Sequence, residues 1–393
     1  MDKLFAKRMD ELVPSGIRKV NEKALAMERA GETVIHFELG RPDFDTPEYI
    51  KNACIEDIKK GDVFYTSNFG TMELREAIAW KLKTQNNVEY KPTEIIVSVG
   101  LSEAVFDVMA AILDEGDEVL VPNPGWLNHL NVPKLLGAVP ITYTLKEEND
   151  YQIDLDEIRA KVTPRTKALV LITPSNPTGG VLAEDVLKEL AEIAVKNDIM
   201  IISDEVYERL LYDDAKHISI ASLPGMKERT ITLNGFSKAY SMTGWRLGWA
   251  VVPEYTIEAV DDLATNYYLC AHTPTQHAAL ACFTPESLAV CEERRQELLA
   301  RRRIVVSGLE RIGLPLEVVP NGAFYAYFSV AGTGLDAWTF CERALEEAHV
   351  ALTPGRDFGP ATADTHVRLS YAASREALTE GLSRLGKFVA SLR

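Results

Sequence analysis

Three places in the sequence hold side chains whose chemistry is complementary. Asn176 stands in PSNPTGG, directly after the apolar run ALVLIT. Asp204 and Tyr207 stand in DEVY, after IMIIS. Ser237, Lys238 and Arg246 stand in GFSKAYSMTGWRLGW, after TITLN. A neutral lysine amine is a nucleophile, a carboxylate or phenol handles protons, and a guanidinium beside a hydroxyl grips anions. Each has a plainer use when it stands alone. An Asp after a strand caps a helix, a loop lysine is solvated, and Asn-Pro-Thr-Gly-Gly makes a turn. Their joint order and spacing sets them apart.

The elements that must carry these residues are visible as short apolar runs. Ile95–Val99, Glu118–Pro122, Ala168–Thr173, Ile199–Ser203, Thr230–Asn234 and Gly248–Val252 are each of strand length. Most are continuously apolar, the pattern of strands covered on both faces. Between them, SEAVFDVMAAILDE and AEDVLKELAEIAVKND repeat apolar residues at helical spacing. Strand–helix alternation predicts a mainly parallel sheet with helices on both faces. Ligands of such sheets bind beyond the carboxyl ends of the strands, where the residues above fall. From about Pro285 the pattern changes. A charged helix over Glu286–Arg311 leads to strand-like pieces EVVP, AFYAYFSV, VALTPG and HVRLSYA and a last helix over Ser374–Leu392. The first forty residues lack the strand–helix rhythm and fit with either part.

The chain has 393 residues, 46% hydrophobic and 25% charged, which excludes disorder and small disulfide scaffolds. Forty-two Lys and Arg against 58 Asp and Glu give a net charge of −16; such a surface repels phosphate backbones, so no nucleic-acid partner is expected. Cys54, Cys270, Cys282, Cys291 and Cys341 are scattered and odd in number, as in a reduced compartment. No secretory leader or membrane span is legible, and a cytoplasmic protein is expected. There is no G-x-G-x-x-G for a nicotinamide and no H-E-x-x-H for a catalytic metal; His272 and His277 are five apart, off one helix face.

With these motifs in hand, the sequence resembles the class I/II aminotransferases, the aspartate-aminotransferase-like enzymes of fold type I that use pyridoxal 5′-phosphate (PLP). The likeness runs from SGIRK (Ser15–Lys19) and GRPDFDTP (Gly40–Pro47), through YTSNFGTMELREAIA (Tyr65–Ala79), to GAFYAYF (Gly322–Phe328) and HVRLSYA (His366–Ala372). Its most specific part is Ser237-Lys238 followed eight positions on by Arg246, preceded by SNPTGG and DEVY. The resemblance implies an α/β fold: a large PLP-binding domain over 46–284 with helices sandwiching a mainly parallel sheet, and a smaller α+β domain from 1–45 and 285–393. It implies ping-pong transfer of an amino group from an L-amino acid to a 2-oxo acid. β-Elimination or a cyclising lyase reaction uses the same motifs and stays open; a PLP-binding regulatory module would need a DNA-binding segment for which Lys238 lies too early.

The resemblance also assigns roles. Lys238 forms a Schiff base with PLP and, once released, shuttles a proton as general base and acid. Asp204 holds the pyridine nitrogen protonated; Tyr207 and Asn176 bond the phenolic oxygen. Arg246, Ser237 and the helix start at Gly100, Leu101 and Ser102 hold the phosphate, the last through free N–H groups. Ser102 also reads as the N-cap of that helix. Tyr65 reaches the phosphate of a neighbouring subunit, which makes a homodimer with shared sites. Trp126 stacks on the ring. Arg368 grips the substrate α-carboxylate, assisted by the Gly40 backbone amide, and Asn176 counts among the substrate-binding residues as well. Specificity falls to Ile17, Arg41, Ser102, His129 and the loop Tyr267–Pro274. Some acid-specific relatives carry a cation where Ser102 stands. No metal is expected.

Overall fold

Seven runs rich in β-branched and aliphatic residues assemble into one sheet in the computed structural model, which describes residues 6–12 and 14–392. The strands are β1 (Ile95–Ser98), β2 (Glu118–Asn123), β3 (Val139–Thr144), β4 (Thr166–Ile172), β5 (Met200–Asp204), β6 (Thr230–Gly235) and β7 (Gly248–Val251). Their order is β1-β7-β6-β5-β4-β2-β3. Only β7 runs antiparallel to its neighbours; every other pair is parallel. All residues of β1, β2, β5 and β7 are buried, as continuous apolar runs require. The strand period of two divides β4 between two cores. Leu169 and Leu171 pack with Leu187 and Leu190 of the helix Glu184–Asn197. Ala168 and Val170 pack with Val105, Val108 and Met109 of the helix Leu101–Ile112.

The six expected strands are all present, with ends shifted by a residue or two. The seventh, β3, carries Pro140 and is mostly half-buried. Proline is tolerated there because β3 is an edge strand. The same proline hides it from a search for unbroken apolar runs.

Beyond Thr284 the helix Pro285–Arg311 and the helix Arg375–Ser391 pack on a three-stranded antiparallel sheet, with His366–Ser370 between Thr353–Pro354 and Tyr325–Ser329. The chain start joins this body. Ile35–His36 pairs in parallel with Val350–Ala351, and the Ser370 N–H donates to the Phe37 carbonyl at 2.8 Å. Gly381 lets the last helix approach, since a Cβ there would lie 2.5 Å from the Phe37 ring. Glu317–Pro320, expected as a strand, forms an unpaired bend. Pro320 has no N–H to give a ladder and packs on Gly179 instead. All five cysteines are unpaired. Among the described residues no helix is long and apolar enough to cross a membrane.

Candidate active site

Parallel pairing sets Ile172 beside Asp204 and Asp204 beside Leu233, so the segments leaving β4, β5 and β6 open on one place. A cavity of about 760 Å³ lies there. Asn176, Asp204, Tyr207, Ser237, Lys238 and Arg246 all line it. So do Gly40, Leu101, Ser102, Trp126 and Arg368, brought in from other elements.

Lys238 donates to the Gly40 carbonyl at 2.5 Å. Burial, reinforced by the Arg368 and Arg246 cations and opposed by Asp204, pushes its amine down to about 8. Burial pushes the Asp204 carboxyl up to about 7, against the Val206 N–H and Lys238, which pull it down. His129 Nε2 stands 3.7 Å from Asp204, but burial lowers the ring to about 3, so the imidazole is neutral and no ion pair forms. Trp126 meets His129 edge to face at 5.1 Å. The Tyr207 and Tyr325 hydroxyls lie 2.7 Å apart, and burial holds Tyr207 well above the usual phenol range. It therefore keeps its proton.

Arg368 is 2% exposed and held on two sides. Its Nη1 donates to Asn176 Oδ1 and its Nη2 to the Glu38 carbonyl, each at 2.8 Å. Its Cζ lies 4.3 Å from the Tyr325 centroid and 4.8 Å from that of Phe358, while its Nε has no partner.

The helix Leu101–Ile112 begins at Gly100, with φ 81° and no side-chain cap. Ser102, expected as the cap, is the second helical residue and faces the cavity. A Cβ on Gly100 would collide with the Arg246 guanidinium. A Cβ on Gly248 would lie 2.6 Å from the Leu101 nitrogen. Glycine is needed at both points for this close approach. A guanidinium against the unshared N–H groups of a helix start is an anion cradle.

Several expected residues lie elsewhere. Tyr65 is 82% exposed and does not line its own chain's cavity. His129 is buried behind the wall against Asp204 rather than lining it. Arg41 is exposed and outside the lining. Tyr267 ends one helix and Thr273 begins the next, so only residues 268–272 connect them, away from the cavity. Ile17 does line it. Sequence reasoning missed Tyr325, Asp357 and Arg18. GAFYAYF and SGIRK drew attention to two of these segments, but no spacing rule turns them toward the sheet.

Behind the wall lie Glu205 and Glu208, neither of which lines the cavity. Glu205 accepts from Ser203 and Ser219 hydroxyls at 2.9 and 2.8 Å and meets His217 at 2.9 Å. Glu208 pairs with Lys81 and accepts from Asn86 and Asn234 at 2.8 and 2.9 Å. Glu205, Glu208 and His217 offer ligand atoms within 4.8 Å of one another, yet both carboxylates already have protein partners.

The site suits PLP on its own features. It joins a lysine with a lowered pKa, a buried carboxylate whose nearest ring is uncharged, an aromatic wall and an anion cradle. Sheet and site together define a fold type I PLP-dependent enzyme. Comparison with known proteins sharpens this. The family model for aminotransferase class I and II matches residues 32–385. The aspartate aminotransferase of Pyrococcus abyssi is 44% identical over 97% of each chain. The aromatic-amino-acid aminotransferase 2 of Thermococcus litoralis is 42% identical over 97% of each. The aspartate aminotransferase structure from Thermus thermophilus with maleate superposes with a TM-score of 0.93 at 38% identity, over 98% of this chain and 99% of that one. The chain belongs to the class I and II aminotransferases and is a PLP-dependent transaminase.

Proposed function

We propose that the residues around the cavity divide the work of amino transfer, and that the donors are dicarboxylic and aromatic L-amino acids. When bound, PLP supplies an aldehyde that condenses with amines and a ring that takes up the electrons released at Cα. Arg246, the Ser237 hydroxyl and the N–H groups of Leu101 and Ser102 hold its phosphate. Asp204 would hold the ring nitrogen in its protonated form, and that charge would give the buried carboxylate the partner that neutral His129 does not. Tyr207 and Asn176 would donate to the phenolic oxygen, and Trp126 would pack against the ring.

Arg368 receives the substrate α-carboxylate through its fork, with Gly40 beside it. The Lys238 amine would then take the proton from the substrate Cα and give one back at the aldehyde carbon of the cofactor, acting as base and as acid. The observation that carries this reading is Lys238 itself: a buried amine brought down to about 8, on the cavity wall with Arg368 and Asp204.

Residues 46–284 form the cofactor domain and 1–45 with 285–393 the smaller one. The active form is a cytoplasmic homodimer. Phe64, Tyr65 and Tyr267, exposed at 77%, 82% and 72%, suit a covered surface better than a free one, and Tyr65 would reach the partner's phosphate site. The substrate class follows the names of the relatives, which act on aspartate and on aromatic amino acids. A panel of donors against 2-oxoglutarate, read as kcat/KM, tests it: aspartate and phenylalanine should rank high, and oxo-acid formation should stop without an acceptor. Continued formation without acceptor would identify a lyase instead.

A further inference from the structure

Four cations line the cavity: Arg18, Lys238, Arg246 and Arg368. Three have work in the reading above. The Arg18 guanidinium makes no hydrogen bond or ion pair with any described residue.

The backbone that carries it is nonetheless held. Arg18 lies in the first turn of the helix Gly16–Arg29, whose own Ser15 supplies no cap. The cap comes from far along the chain. Asp357 Oδ1 accepts from the Gly16 N–H at 2.7 Å, the Ile17 N–H at 3.1 Å and the Ser15 hydroxyl at 3.2 Å. Asp357 is 3% exposed, its other oxygen has no partner, and a Cβ on Gly16 would collide with it. A helix start pinned to the cavity wall in this way holds the next side chain over the cavity. Ile17, Leu12 and Phe358 give that part of the wall an apolar character.

We propose that Arg18, held in register by the Asp357 cap, receives the distal carboxylate of a dicarboxylic substrate, while Ile17, Leu12 and Phe358 take its carbon chain or, in the alternative donor, an aromatic ring. The assignment rests on the dicarboxylic and aromatic reading above. It makes Arg18 a specificity-determining residue, separate from Arg368, which serves the carboxylate common to all amino acids.

The test compares binding of maleate, a dicarboxylate, and 3-phenylpropionate, a monocarboxylate, to wild-type, Arg18→Met and Arg18→Lys holoenzyme by calorimetry. A lost charge-assisted hydrogen bond lowers the maleate-to-phenylpropionate affinity ratio about tenfold or more in Arg18→Met. Arg18→Lys keeps part of it, because charge survives without the fork. An unchanged ratio in Arg18→Met, or wild-type enzyme that does not take maleate, overturns the proposal. Turnover with aspartate and phenylalanine by the wild type tests the substrate reading separately, since the binding ratio needs no turnover. Arg18 is exposed, so its replacement leaves the core intact.

Discussion

Arg368 and Asn176 are 192 residues apart in sequence and share a hydrogen bond of 2.8 Å at the floor of the cavity. Asn176 leaves the end of β4, and Arg368 sits in the middle strand of the C-terminal sheet. The contact thus ties the cofactor side of the site to the substrate side. The Glu38 carbonyl and the Tyr325 ring complete the hold, leaving the guanidinium little freedom to lose on binding.

Arg368→Ala should therefore raise KM for amino donors roughly 100-fold, the scale of losing a buried charged pair. PLP content should change little, because no phosphate donor is removed. Arg368→Lys should recover only a fraction, as a point charge does not reproduce the fork. Titration of cofactor content beside steady-state kinetics checks both. A KM that stays put would remove Arg368 from carboxylate binding.

Gly100→Ala places a methyl group against the Arg246 guanidinium, on a backbone with φ 81°. With ψ 164° this is a backbone conformation essentially confined to glycine, costing an L-residue about 1–3 kcal/mol, and Arg246 must move from the cradle. The expected result is a PLP dissociation constant about tenfold higher or more, with the melting temperature of the apoprotein only slightly lowered. Equal PLP affinity in the variant would show that the cradle tolerates a side chain.

The chemistry on the parallel strands was legible because strand ends in such sheets converge. Asn176, Asp204 and Lys238 each follow an apolar run, and register alone brings those runs together. What stayed hidden depends on long-range approach. Asp357 caps a helix 341 residues away, and no local pattern announces that. His129 shares a helix start with Trp126, yet it turns inward to Asp204 where Trp126 faces the cavity. The β3 strand escaped because Pro140 breaks its apolar run at an edge that permits it.

Lys238 carries a pH prediction. With its amine near 8 rather than the ordinary 10.5, about one molecule in ten holds a neutral amine at pH 7, against about one in three thousand without the shift. Capture of PLP by the apoprotein should accelerate about tenfold per pH unit below 8 and then level off. Stopped-flow absorbance follows this directly. A rate still climbing steeply at pH 10 would mean that burial and the two arginines do not set the amine's charge. Lys238→Ala should lose nearly all turnover and, after borohydride treatment, carry no cofactor label.

The last prediction concerns stability behind the site. Burial alone disfavours the charged form of His217, but the Glu205 carboxylate, by charge and hydrogen bond, reverses this with help from Glu208 and against Lys81. The imidazole is therefore raised above its ordinary 6.5 in the folded protein. A raised base stabilises the fold fully below its unfolded value and loses that contribution as pH rises through the folded one. Wild-type protein should thus lose stability between about pH 6.5 and the alkaline side, by about 1.4 kcal/mol for each pH unit of the raise. His217→Gln, which keeps a hydrogen-bonding group but cannot titrate, should be less stable at pH 6 and converge on wild type as pH rises. Urea denaturation of both proteins at pH 6 and pH 9 makes the comparison. A gap between them that stays constant with pH would show that His217 is neutral in the fold and that Glu205 is held by Ser203 and Ser219 alone.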